Sequence, residues 1–124
     1  MPRRTRSLIA LLALTAATTA CGSAGAPLRV KDTAVNITLD DYTIRPQTLY
    51  VPSGKRLTFT VVNHGRLGHT FRIRSANHNV MNITTIPPGG TKSRSFKLAA
   101  GNYTMYCALS NHEELGMSGT LIVG

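Results

Sequence analysis

At 124 residues the chain is long enough for one domain and too short for two. Trp is absent and only three Phe occur (Phe59, Phe71, Phe96), so a core must come from Val, Ile, Leu and Tyr, which favour strands over helices. Fourteen Lys and Arg against five Asp and Glu give a net charge of +9, yet these cations are scattered, with no aromatic interleaving and no basic helix, which argues against a nucleic-acid partner.

Residues 1–20 read as a secretory signal peptide: three arginines in the first six residues, then a stretch that is apolar or small from Leu8 to Ala20. That stretch falls short of the roughly 20 apolar residues a membrane span needs. Arg3-Arg4 lacks the apolar pair expected downstream for twin-arginine export, so the general secretory route is favoured. Thr18-Thr19-Ala20-Cys21 resembles the lipobox of bacterial lipoproteins, although Thr18 stands where an aliphatic residue is usual. The resemblance implies that Cys21 is lipidated and becomes the new N-terminus, anchoring the protein to the membrane. Residues 21–29 then form a lipidated cysteine and flexible tether, and residues 30–124 the folded domain.

Loss of Arg3, Arg4 and Arg6 leaves eleven basic residues against five acidic, a net of +6. An exported basic protein of this kind is suited to an anionic membrane surface or an acidic protein partner. The only cysteines are Cys21 and Cys107. With Cys21 acylated, Cys107 is a lone thiol in an oxidising compartment, where a bound metal would protect it.

From residue 30 onward short strands alternate with turns. Residues 34–39 and 56–61 alternate polar and apolar with period two, and residues 51–54 (Val-Pro-Ser-Gly) form a turn between them. Residues 70–74 place Phe71 and Ile73 on one face and two arginines on the other. A turn is expected around residues 77–82, and Pro87-Pro88-Gly89-Gly90 is a strong breaker. Residues 95–98, 101–106 and 120–123 complete about seven strands, an all-β sandwich.

The chemistry concentrates near the C-terminus. Cys107, His112 and Met117 follow a Cys-x4-His-x4-Met spacing, and His69 heads a strand about forty residues earlier. Two imidazoles, one thiolate and a weak axial thioether are the ligand set of a blue copper electron-transfer site. Sulfur ligands suit Cu(I) and imidazole holds Cu(II), so one geometry serves both states. Taken singly, His69 would more often be a hydrogen-bonded strand-end residue, Met117 a core filler and Cys107 a small buried hydrophobe. Zinc competes as the metal, but a structural zinc site favours more thiolates and has no use for Met.

Residues 54–59, the run Asn63-His64-Gly65-Arg66-Leu67-Gly68-His69-Thr70-Phe71, and residues 106–120 resemble the cupredoxin family, in its small members with this loop spacing. The resemblance implies a Greek-key β-sandwich, one type 1 copper ion, a backbone carbonyl from Gly68 near the metal, and an electron port at His112. That port would be ringed by Leu67, Leu109, Leu115 and one of Pro87 and Pro88. Members often have Asn after the first histidine, to brace the cysteine loop; here Thr70 offers a hydroxyl instead. His64 and His78 match no ligand position and are expected to be exposed and idle. A binuclear centre would need a second loop cysteine, and a multicopper oxidase would need further domains. No carboxylate dyad or Ser/His/Asp pattern suggests an enzyme. The expected function is therefore a monomeric electron shuttle of the cell envelope serving an acidic redox partner. Copper storage or delivery is the alternative.

Overall fold

The computed structural model describes residues 25–124. The expected signal peptide and Cys21 lie outside the described residues. Ten strands follow one another: β1 Leu28–Arg29, β2 Ala34–Asp40, β3 Thr43–Arg45, β4 Thr48–Val51, β5 Arg56–Asn63, β6 His69–Ser75, β7 His78–Ile86, β8 Thr91–Lys97, β9 Gly101–Tyr106 and β10 Ser118–Val123. They form a six-stranded sheet in the order β1-β4-β10-β9-β6-β7 and a four-stranded sheet in the order β3-β2-β5-β8. Both sheets are mixed: β2 runs parallel to β5, and β4 lies parallel to both β1 and β10.

Period-two patterning builds the sandwich. In β2, Val35, Ile37 and Leu39 point inward while Ala34, Asn36 and Asp40 are exposed; β5 does the same with Leu57, Phe59 and Val61. Phe71 and Ile73 of β6 close over them from the other sheet, and the Phe59 and Phe71 rings stand 6.2 Å apart across the interior. Leu49, Met105 and Leu121 extend that core beneath the larger sheet.

The expected all-β sandwich is present, with ten strands where about seven are expected. β3 and β4 are only three and four residues long, too short for alternation to register. β7 is the longest strand, nine residues, and occupies most of the segment expected to turn; the turn itself is only Ala76-Asn77. Its pattern is hidden because β6 and β7 pair with two register shifts, which break the period of two. β1, the last two residues of the expected tether, pairs in parallel with β4. Just before it, Gly25 lines a shallow cleft with Thr43, Gly116 and Ser118.

Strand directions gather four connections at one end of the sandwich. The β2–β3 turn, the loop of residues 64–68, the Pro87–Gly90 segment and the long β9–β10 loop all lie there. Leu39 is paired with Asn63, His69 with Ile86, and Arg72 with Tyr106. Backbone bonds from Gly89 N to Asn63 O (2.8 Å) and from His64 N to Leu39 O (2.7 Å) join these connections to one another.

Candidate metal centre

His69 is the first residue of β6, and its position is set by a buried amide that sequence reasoning left without a role. Asn63, the last residue of β5, is fully buried; its amide nitrogen donates to Leu67 O (2.8 Å) and Ile86 O (2.9 Å). Its carbonyl oxygen accepts from Gly65 N at 2.9 Å. One side chain thus ties the 64–68 loop to the end of β7, and every polar atom it buries has a partner. The signal was weak in sequence, since Asn before a glycine-containing loop also reads as an ordinary turn residue.

Cys107, His112 and Met117 occupy the β9–β10 loop, which folds as successive tight turns. His112 N donates to Leu109 O (3.0 Å), Gly116 N to Glu113 O (3.0 Å) and Met117 N to His112 O (3.1 Å). Cys107 N donates to Met117 O at 3.2 Å, closing the loop at its neck. Gly116 has φ of 110°, a conformation that side-chain-bearing residues rarely adopt, and this lets the chain re-enter the core at Met117. Arg74 of β6 forms a two-pronged ion pair with Glu113 and lies 4.3 Å over the Tyr106 ring, holding the outside of the loop against the sheet.

The predicted residues converge. Nδ1 of His69 lies 3.2 Å from Nδ1 of His112, and Sγ of Cys107 lies 3.6 Å from His112 Nδ1 and 4.0 Å from His69 Nδ1. The point equidistant from these three atoms is about 2.1 Å from each, close to the roughly 2.0–2.1 Å of metal–imidazole and 2.3 Å of metal–thiolate bonds, with zinc as reference. The three donors therefore fit one first-row metal ion without rearrangement. Met117 is fully buried, and its backbone is bonded to both Cys107 and His112. His69, Cys107 and His112 are also the one such cluster of His, Cys or acidic residues among the described residues. His64 and His78 are exposed and take no part in it.

Two donors face the Cys107 sulfur. Thr70 N donates to Sγ (3.4 Å) and Thr70 Oγ1 donates to it as well (3.7 Å), while the same hydroxyl accepts from Ala108 N at 2.8 Å. The hydroxyl that replaces the usual amide therefore does brace the cysteine loop. His69 and Cys107 are buried, whereas His112 is partly exposed, with Leu67 (42 % exposed) and Leu115 (51 % exposed) nearby in the same end loops. Tyr42, at the tip of the β2–β3 turn, meets the His112 ring edge-on at 5.3 Å.

Sequence reasoning missed Asp41 altogether. Its Oδ1 lies 3.0 Å from Nε2 of His69, and its carboxylate also accepts from Arg66 N (3.1 Å) and Leu67 N (3.2 Å). The Arg66 amide, then the His69 hydrogen bond, hold the Asp41 carboxyl below its ordinary value. Gly65 makes room for this: a Cβ there would run into both the Asp41 carboxylate and Nε2 of His69. No residue pattern announces such a contact, because positions 41 and 69 meet only through the pairing of β2 with β5.

A small β-sandwich with a largely buried His–Cys–His cluster at one end, on a loop that ends in a buried methionine, has the build of a mononuclear metal-binding domain. The chain belongs to the cupredoxin-like domain family, whose model matches residues 8–123. Among solved structures it is similar to dithionite-reduced auracyanin from Roseiflexus castenholzii, at 18% identity and TM-score 0.69, covering 77% of this chain and 99% of that one. Rusticyanin from Thiobacillus ferrooxidans matches at 18% identity and TM-score 0.66, over 77% of this chain and 80% of that one. A multicopper oxidase shares the fold at 20% identity and TM-score 0.60, over 73% of this chain but 41% of its own length. No curated protein matches the sequence.

Proposed function

We propose that the chain is a type 1 copper protein that carries single electrons between redox partners outside the cytoplasmic membrane. The observation that carries this is the convergence of His69 Nδ1, His112 Nδ1 and Cys107 Sγ on one point, with Met117 buried on the same loop and bonded through its backbone to Cys107 and His112. Copper bound there would supply a one-electron couple between Cu(I) and Cu(II). The protein residues do the rest. His69 and Cys107 are held rigidly by β6 and Thr70, so the site changes little between oxidation states. His112 is the ligand nearest to solvent, and the exposed Leu67 and Leu115 offer a dry contact for a partner. Four protein ligands would leave no coordination position for a substrate, which supports a carrier rather than an enzyme. Location in the cell envelope, anchored through Cys21, rests on the leader and lipobox resemblance. An acidic redox partner and a monomeric state are further parts of this proposal.

The test is a visible spectrum of the copper-loaded domain. An intense thiolate-to-copper charge-transfer band is expected, lost in Cys107→Ser; a Ser variant that keeps its colour would remove Cys107 from the ligand set. Storage or delivery of copper is separated by reversibility. A carrier keeps its copper through repeated oxidation and reduction in the presence of a modest chelator, and a delivery protein gives it up.

A further inference from the structure

The Asp41 contact has two sides. A carboxylate can only accept, so the 3.0 Å approach of Oδ1 places the hydrogen of His69 on Nε2. In the neutral imidazole Nδ1 then keeps its lone pair, and Nδ1 is the nitrogen that faces Cys107 and His112. The carboxylate itself is anchored independently, by the Arg66 and Leu67 amides, so it does not depend on His69 for its position. His69 is fully buried, and a charge behind a buried ring acts through little intervening water.

We infer that Asp41 is a positioning residue for the metal centre: it fixes His69 in the Nε2–H tautomer and places a negative charge behind the ligand that favours the more highly charged metal state. The copper part of this rests on the function proposed above; the tautomer part does not. An outer carboxylate makes the imidazole a stronger donor, and removal of such partners elsewhere costs about 10- to 100-fold in metal affinity. Because the added charge stabilises Cu(II) more than Cu(I), Asp41 lowers the reduction potential.

Asp41→Asn tests it, because the amide retains an oxygen for the loop amides while losing the charge. Expected in the copper-loaded protein is a rise in potential equivalent to a tenfold shift in the oxidised-to-reduced ratio, about 59 mV for one electron. Copper(II) affinity should fall at least tenfold, with the charge-transfer band retained. In the metal-free protein, nitrogen-15 spectra should show His69 as the Nε2–H tautomer, and a mixture of tautomers in the variant. Asp41→Ala, which also releases the loop, guards against a purely structural role. If both variants lower thermal stability while potential, affinity and tautomer stay at wild-type values, Asp41 only pins the loop and the inference is overturned. If the wild type takes up no copper at Cys107, the copper proposal fails instead. The inference is then decided by the metal-free spectra alone: a tautomer change supports it, and an unchanged tautomer overturns it.

Discussion

At the residue scale, the four sulfur and nitrogen side chains differ in what holds them. Cys107 is fixed by hydrogen bonds from Thr70 and His69 by the one it donates to Asp41, whereas Met117 is held by packing and by its backbone. A long axial thioether tunes the potential of such a centre more than it retains the ion. Met117→Leu should therefore keep copper and raise the reduction potential, and Met117→Gln should lower it, as read by redox titration. The Leu variant conserves volume in a fully buried place, so its metal-free form should lose less than about 1.5 kcal/mol. Complete loss of copper from it would reverse the ranking of ligands.

At the scale of elements, the centre depends on how β6 grips the β9–β10 loop. The Thr70 hydroxyl is the shared atom, accepting from Ala108 N while facing Cys107 Sγ. Thr70→Val keeps the shape and strands that amide, so the metal-free protein should lose about 1–3 kcal/mol. Urea titration should show a lower midpoint at an unchanged slope; an unchanged midpoint would mean that the hydroxyl braces nothing. The same contrast explains what sequence could reveal. The ligands were legible because three of them share one short loop, where spacing in sequence is spacing in space. β2, β5 and β6 were legible because their inward faces alternate cleanly. β7 was not, since its bulged pairing disguises the alternation, and Asp41 was not, since its contact arises from β2 lying beside β5. Asn63 and Asp41 act across loops, and such contacts exist only once the sheets have formed.

On the scale of the whole molecule, charge and the apolar port are separate features. Four of the five acidic residues (Asp40, Asp41, Glu113, Glu114) lie in or beside the loops at the metal end, where Arg66 is also found, so most of the basic residues lie elsewhere on the surface. A positive net charge would accelerate encounter with an acidic partner, and salt screens it over about 8 Å at physiological strength. The bimolecular electron-transfer rate should thus fall steeply with added salt. Leu115→Lys should slow transfer even at high salt, since Leu115 is half-exposed beside the port. Charge reversal at Arg66 or Lys92 should act mainly at low salt. Stopped-flow measurements over a range of ionic strengths separate the two. A flat wild-type response would assign the basic surface to something other than partner encounter.

The parallel pairing of β1 also fixes where the domain is tied. β1 runs with β4 and β10, and β10 departs from the ligand loop, so the chain approaches β1 from the metal end. Gly25 accordingly lies beside Gly116 and Ser118. From Cys21 to Gly25 is four residue steps, which span at most about 14 Å of extended chain. With an acyl chain on Cys21, the leash would be no longer than this, and it would join the domain at the metal end. The centre would then patrol the bilayer surface rather than the bulk of the compartment. Its natural correspondents would be those whose own redox groups stand at the lipid boundary, met by sliding in two dimensions at a high local concentration.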